Sequence, residues 1–255
     1  MALVSVLISA LLKPGYLASV FLFYGTPVVY FALRLRSWRQ ILRGLFFAGT
    51  ATLPFTIVVD YIGTVSGVWS VPRSAFADRL FGIIPVEDFL WMFLGICSII
   101  LMYEAQSKAS GREIIGRRMK SFLLVASFGL NIFLILIATR QTALFIWPGR
   151  YAYLALGCTF FLIPAVLYFW HFPRVFTRCI PTVGYFFILT VVFELTATSL
   201  GEWNFGGLYL LPPFTLFGIG SVPYEELAFV GIVGPLAAIA LFEFFDNSPP
   251  LLRRG

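Results

Sequence analysis

Two short segments of the chain place a pair of acids one residue after a proline. The first segment reads PVEDFLW and carries Glu87 and Asp88, and the second reads PYEELAFV and carries Glu225 and Glu226. Each pair stands at the start of a long apolar run. A carboxyl group in apolar surroundings keeps its proton more readily than in water, because burial disfavours the charged form. A buried, protonated carboxyl group can act as a general acid.

An aromatic residue shares a helix face with the first acid of each pair. Glu87 and Trp91 are four residues apart, and so are Glu225 and Phe229, which is the spacing of neighbours on one helix face. An aromatic ring attracts a nearby cation through its quadrupole. An acid beside such a ring is suited to protonating an alkene and stabilising the carbocation. We therefore expect Glu87 and Glu225 to lie closest to the developing cation, with the second acid of each pair holding or relaying the proton.

A further acid and a tryptophan precede each pair. Asp60 lies nine residues before Trp69, and Glu194 lies nine residues before Trp203. Both tryptophans follow a glycine and one further residue. Because this pattern occurs twice, we expect the two upstream acids to be partners in the proton transfer, and the two tryptophans to help stabilise the cation.

The doubled pattern predicts an internal repeat. Repeat A covers about residues 15–104 and repeat B about residues 151–244, and a connecting span lies at about residues 121–138. A single span between two three-span units gives both units the same orientation in a membrane. All six acids would then gather at one depth, and a pseudo-two-fold axis along the membrane normal would bring the two sets face to face.

Ordinary helix capping is the alternative interpretation of the acid pairs. Proline suits the first position of a helix, and an acid in the first turn can accept a hydrogen bond from a free backbone N–H. The doubling of the motif, with an upstream acid in each copy, favours catalysis over capping. For Trp69 and Trp203, a place in the aromatic belt of a membrane interface is the corresponding alternative.

The elements that must position these residues are membrane spans. Hydrophobic residues make up 60% of the 255 residues and charged residues only 12%, about half the usual share in a soluble domain. We predict an all-α polytopic membrane helix bundle, a single membrane domain over residues 1–255. Spans are predicted at about residues 15–33, 41–62, 86–104, 121–138, 151–170, 182–200 and 224–244. Residues 2–12 are apolar but too short to span, and predict an interfacial helix or an extension of the first span.

The basic residues predict how the spans are oriented. Most of the 18 Lys and Arg residues fall in the first, third and fifth loops and at the C-terminus. Because cytoplasmic loops are enriched in Lys and Arg, the N-terminus is expected outside and the C-terminus in the cytoplasm. Both acid motifs then lie toward the outer leaflet. The net charge of +6 reflects these loops and predicts no nucleic-acid partner.

The sequence predicts neither a metal nor a cofactor. The three cysteines are scattered without a CxxC pair, and His171, the only histidine, stands at a predicted span end. The GxG that begins at Gly218 lacks the third glycine and the strand–helix context of a dinucleotide site. No Asp-rich motif typical of magnesium–diphosphate chemistry occurs.

The doubled Pro-x-acid-acid motif, with its upstream acid and Gly-x-Trp, resembles the membrane-integral lycopene cyclases. This family includes heterodimeric bacterial enzymes, a fused archaeal form and the cyclase domain of fungal bifunctional enzymes. The resemblance covers about residues 15–245 and implies proton-driven, redox-neutral cyclisation of the ψ-ends of lycopene to β-ionone rings, without flavin or metal. It implies catalytic roles for Glu87, Asp88, Glu225, Glu226, Asp60 and Glu194. Leu227 stands where the family usually has an aromatic residue, and Glu194 where aspartate is frequent.

The implied substrate is lycopene or a related long polyene, bound by a protein that also contacts membrane lipid. A homo-oligomer, or contact with other carotenoid enzymes, is also compatible with this interpretation. Three alternatives stay open at this point. One is cyclisation of other carotenoid ends, giving an ε-ring or acting on C50 carotenoids. The others are a proton-coupled transporter, and a lipid- or carotenoid-binding scaffold without turnover.

Overall fold

In the computed structural model of this protein, the described residues include seven helices long and apolar enough to cross a membrane. The structure describes residues 2–35, 37–106, 114–147, 149–207 and 209–245. The spans run over Tyr16–Arg34, Trp38–Val65, Val86–Gln106, Arg117–Ala138, Gly149–His171, Pro173–Ser199 and Tyr224–Phe245. The prediction of an all-α polytopic bundle with seven spans is confirmed.

The sixth span begins earlier than the sequence predicted. Its helix starts at Pro173, whereas the apolar run predicted a start near residue 182. Arg174 and Arg178, which were expected in a loop, lie in its first turns. A proline fits the first turn because no carbonyl of the helix needs its missing N–H, and only Phe172 separates this helix from the fifth span.

Four spans contain a π-helical turn. These turns are Phe21–Gly25, Thr56–Asp60, Cys158–Leu162 and Phe229–Val233, in the first, second, fifth and seventh spans. In three of the four, a proline follows two residues after the turn, at Pro27, Pro164 and Pro235. A proline removes the N–H that would bond the carbonyl four residues earlier, and that carbonyl lies inside the π turn in each case. The first and fifth spans therefore share one bulge at matching places, as two copies of one unit would.

The N-terminal residues form a separate helix. It runs over Ala2–Leu12 and ends where Lys13 takes a left-handed backbone (φ 44°) before Pro14. The Ser5 hydroxyl donates to the Leu22 carbonyl (3.0 Å) and thereby holds the helix against the first span. Of the two expectations for this segment, the structure shows a helix of its own rather than an extension of the span.

The second and sixth spans end in the same turn. Gly67 and Gly201 have left-handed backbones, with φ of 73° and 66°. The N–H groups of the next residues, Val68 and Glu202, each donate to a carbonyl five residues earlier at 2.9 Å. This hydrogen bond and the left-handed glycine before it form a Schellman motif, a common helix C-terminal cap. It explains the Gly-x-Trp spacing, because each glycine turns the chain and places the tryptophan just beyond the helix end.

Three short antiparallel strand pairs lie in the loops beside the acid motifs. They are β1 (Trp69–Ser70) with β4 (Asn204–Phe205), β2 (Arg79–Leu80) with β3 (Ile84–Pro85), and β5 (Phe214–Leu216) with β6 (Ile219–Val222). The β1–β4 pair joins the two predicted repeats, with Ser70 opposite Asn204. Strands of this length carry no alternating pattern, so the sequence did not predict them.

The third span lies at the centre and the fourth at the edge. The third span, Val86–Gln106, packs against the first, second, sixth and seventh spans, and most of its side chains are buried. On the fourth span only Met119 and Phe133 are buried. The connecting span thus contributes little to the core that holds the acids.

Candidate active site

The six acids predicted from the sequence are all buried. Their exposed fractions range from 0% to 7%, and they are Asp60, Glu87, Asp88, Glu194, Glu225 and Glu226. Burying one ionised carboxylate without a partner costs several kcal/mol. With Glu104 and Glu202, eight acids are buried among the described residues, and the partners of each acid decide what it can do.

Acids from the two predicted repeats meet in one central cluster. Asp60 lies within electrostatic range of Asp88 and Glu226 and interacts with the Trp69 indole. Tyr16 lies within range of Asp60, Asp88 and Glu194. The second acid of each motif and the two upstream acids therefore face the same interior.

Two buried tyrosines of the first span line this cluster. The Tyr16 hydroxyl donates to Asp88 Oδ1 at 2.9 Å. Tyr24, two turns further along the span, lies within range of Glu194 and Glu226. The sequence analysis missed both tyrosines, because tyrosines are common in this chain. One signal was present: Tyr16 and Tyr153 each precede a matching proline by the same distance.

The first acid of each motif bonds to a loop instead. Glu87 accepts hydrogen bonds from the Ser74 hydroxyl (2.8 Å and 2.9 Å) and from the Ala75 N–H. Glu225 accepts from the N–H groups of Leu210 (2.5 Å) and Leu211 (3.3 Å). These carboxylates are therefore acceptors for backbone N–H groups of the loops that precede their helices.

This placement differs from the expectation that Glu87 and Glu225 lie closest to the cation. The helix positions were inferred correctly from the spacing, but a glutamate side chain is long enough to turn toward the loop before its helix. Asp88 and Glu226 are the motif acids that interact with Asp60, whereas Glu87 interacts with its neighbour Asp88.

The four predicted aromatic residues are buried and form two corners. In the first corner, Tyr16 lies 5.9 Å from Trp203, and Trp203 lies 5.9 Å from Trp91, measured between ring centroids. Trp91 also meets Tyr24 edge-on, at 6.2 Å. The contacts of Trp203 with Tyr16 and with Trp91 both join repeat B to repeat A.

The second corner contains the matching residues with the two repeats exchanged: Tyr153 corresponds to Tyr16, Trp69 to Trp203 and Phe229 to Trp91. Tyr153 lies 5.7 Å from Trp69 and stacks on Phe229 at 6.4 Å. Glycines make room for both rings. A Cβ atom on Gly63 would stand 2.2 Å from the Trp69 ring, and one on Gly157 would stand 2.3 Å from the Phe229 ring.

An apolar cavity begins beside the acid cluster. Its volume is about 80 Å³. Tyr24 and Trp91 line the end near the cluster, and Phe47, Phe161 and Leu241 line its further reaches. A cavity with almost no polar lining suits a hydrocarbon, and its position lets one end of such a molecule approach the acids.

The described residues show no metal site. Within those ranges, no group of three or more His, Cys, Asp or Glu side chains is arranged to hold a metal ion. Arg79 interacts electrostatically with Asp88. Its guanidinium donates to the carbonyls of Val71 (2.7 Å) and Ile83 (3.2 Å).

Comparison with known proteins identifies the family. A family model described as lycopene cyclase matches residues 13–105 and 150–245. These segments contain both acid motifs and all of the cluster, and they leave out the fourth span. No curated protein and no solved structure matches the chain. Because the match covers most of the chain in two blocks, the protein belongs to the lycopene cyclase family and is an enzyme that cyclises carotenoids.

Proposed function

We propose that this enzyme is a lycopene β-cyclase that starts ring closure by protonating the substrate. One observation carries the proposal: Asp60, Asp88, Glu194 and Glu226, from both repeats, interact with the buried tyrosines Tyr16 and Tyr24, and Tyr24 also lines an apolar cavity. Four carboxyl groups in one dry space cannot all ionise at low cost, so some of them share protons. A neutral acid beside a hydrocarbon is what alkene protonation needs.

The reaction balances without an oxidant or reductant. A carboxyl group gives its proton to the terminal double bond of a ψ-end, and the neighbouring double bond attacks the cation to close the ring. The new ring cation then loses a proton from an adjacent carbon to a carboxylate. One proton enters and one leaves, so no electrons are transferred and the acid cluster is restored.

Asp88 is the acid we assign to the first step. The Tyr16 hydroxyl holds it at 2.9 Å, and Trp91 and Trp203 form an aromatic wall beside that tyrosine. A positioned aromatic face stabilises a cation by about 0.5 to 2 kcal/mol. Asp60 and Glu194 are assigned to proton relay.

Glu226 has the corresponding place in the second corner, where Phe229 is the aromatic wall. Glu87 and Glu225 are assigned to holding the loops that close the cluster, on the evidence of their hydrogen bonds. Leu227, which stands where the family usually has an aromatic residue, is buried in a small apolar group with Leu195 and Val222.

The lycopene substrate and the β-ring product follow from the family resemblance, and the apolar cavity supports a long polyene. A proton-coupled transporter is less well supported, because the acids gather at one end of the spans rather than at the membrane midplane. Orientation is part of the proposal: with the N-terminus outside, the acids lie in the outer half of the membrane.

Expression in a lycopene-accumulating bacterium tests the function. We expect β-carotene to replace lycopene when the pigments are separated by chromatography. Unchanged lycopene in cells that contain folded protein would refute the proposal for this substrate. Rings of the ε type would keep the cyclase and change the product, and cyclisation of C50 carotenoids alone would change the substrate.

A further inference from the structure

The two corners offer a comparison within one chain. Tyr16 and Tyr153 each stand five residues before a π-helical turn. Each packs on the tryptophan of the other repeat, at 5.9 Å and 5.7 Å. Residues at matching places in the two corners therefore have comparable surroundings, and a difference between them needs a reason.

The residue before each tryptophan differs in kind. Glu202 precedes Trp203, whereas Val68 precedes Trp69, and both are buried, with 2% and 1% of their surface exposed. The residues three positions after the two tyrosines differ in the same way: Ser19 in the first corner and Leu156 in the second. A polar pair in one corner thus matches an apolar pair in the other.

The polar pair is bonded. The Ser19 hydroxyl donates to Glu202 Oε1 at 2.8 Å. Glu202 Oε2 is buried and has no hydrogen-bond partner among the described residues. A buried polar atom without a partner lowers stability, and burial raises the pKa of Glu202 to about 7, against the smaller lowering effect of the Ser19 hydroxyl. Packing alone does not explain a glutamate where the other corner uses valine.

The Ser19–Glu202 hydrogen bond lies where it can influence the position of Asp88, the proposed acid. Ser19 is one helical turn from Tyr16, and Glu202 is next to Trp203, so the bond fixes the span and the loop that meet in the Tyr16–Trp203 contact. Tyr16 in turn holds Asp88. In the second corner, the described residues show no hydrogen bond between Tyr153 and the matching acid.

We propose that Glu202 is a positioning residue for the cyclisation reaction. Through Ser19 it holds the Trp203 ring against Tyr16 and Trp91, and it thereby aligns the Asp88 corner for protonation. The expected effect of Glu202 on turnover rests on the proposed function. Its expected effect on the position of the Trp203 ring rests on the structure alone.

Four variants test it. Glu202→Gln keeps an oxygen that accepts from Ser19. The double variant Ser19→Leu with Glu202→Val copies the apolar pair of the second corner, so it preserves packing and removes the bond. Ser19→Ala removes the bond without added bulk, and serves if the double variant does not insert. Val68→Ala disturbs packing at the matching place and is the control.

We expect Glu202→Gln and Val68→Ala to keep turnover per folded molecule. The double variant and Ser19→Ala should lose about 10- to 100-fold in kcat with little change in KM, the scale of loss seen when a reacting group is displaced by about 1 Å. Normal turnover of the double variant would show a merely structural role. Loss of turnover in Glu202→Gln equal to that of the double variant would show that the carboxyl proton, rather than the position, is needed, and would also overturn the proposal.

A second measurement does not depend on turnover. In protein labelled with 5-fluorotryptophan, the ¹⁹F NMR signal of Trp203 should move or broaden in the double variant and in Ser19→Ala, and stay in place in the other two. An unmoved signal in the bond-removing variants would overturn the positioning role even if the wild type failed to cyclise lycopene. Wild-type failure with the expected ¹⁹F changes would instead refute the proposed function alone.

Discussion

Asp88 accepts a hydrogen bond from the hydroxyl of Tyr16, which lies on another span. Removing a positioned general acid typically lowers the rate by about 10² to 10⁴. We therefore expect Asp88→Asn to fold, since asparagine still accepts from Tyr16, and to cyclise lycopene about 10² to 10⁴ times more slowly. Turnover per folded molecule in membranes is the measurement.

Glu87→Gln is the matched comparison for this prediction. Its acceptor oxygen can keep one of the loop bonds, so the loss of turnover should be smaller than in Asp88→Asn, and the loss of thermal stability larger. The reverse order would return the donor role to Glu87, as the spacing with Trp91 first indicated.

Glu202 gives a prediction about pH. Its pKa in the folded protein is about 7, above the usual value for glutamate of about 4.3. The folded state therefore binds this proton more tightly than the unfolded state, and the stabilisation is lost as pH rises from about 4.5 to 7. Glu202→Gln removes this loss. Its melting temperature relative to wild type should rise between pH 4.5 and 8, and a difference independent of pH would contradict the prediction.

Which residues form the site was predictable from sequence only in part. The six acids and four aromatic residues were predicted because their types and spacing repeat, and the structure shows that all ten are buried. Tyr16, Tyr24, Ser19 and Glu202 were missed, because each gains its meaning from a contact between distant segments. The Ser19–Glu202 bond joins residues 183 positions apart, and no local pattern encodes such a contact.

Among the helical elements, the fifth and seventh spans approach each other closely because Gly157 has no side chain. An alanine Cβ there would stand 2.3 Å from the Phe229 ring, and overpacking of this kind typically costs about 1–3 kcal/mol. We expect Gly157→Ala to lower the melting temperature measured in detergent and to weaken the second corner.

Gly129→Ala on the fourth span is the control for this substitution. No atom lies within 4 Å of a Cβ built there, and alanine favours helix over glycine by about 1 kcal/mol. Stability should be unchanged or slightly higher. Equal destabilisation by both substitutions would mean that the close approach of the fifth and seventh spans at Gly157 does not contribute to stability.

The spans were predictable because a run of apolar residues long enough to cross a bilayer is a strong signal. Their ends and internal bulges were not. The sixth span extends to Pro173 because helical backbone continues through polar residues at a membrane surface. Three of the four π-helical turns occur where a proline leaves a carbonyl without its usual partner, and a proline in the sequence can produce either a kink or a bulge.

Across the membrane, the orientation remains a prediction. We expect Arg73→Cys to react with an impermeant thiol reagent added to intact cells, and Lys120→Cys to react only after the cells are opened. Lys108, in the same predicted cytoplasmic loop as Lys120, lies outside the described residues. Labelling of the Lys120 site alone from outside would reverse the orientation and place the acid cluster in the inner half of the membrane.

The unequal corners have a consequence for how a symmetric substrate is processed. Lycopene has two identical ends, but in the described part of the chain the Ser19–Glu202 and Tyr16–Asp88 hydrogen bonds have no counterpart in the second corner. If that corner closes rings faster, a molecule closed at one end must leave and return turned end for end before its second ring forms. The half-closed, single-ring carotenoid should then accumulate early in a time course and disappear later. A two-ring product that rises from the first minutes, without this intermediate, would mean that both corners work on one bound molecule.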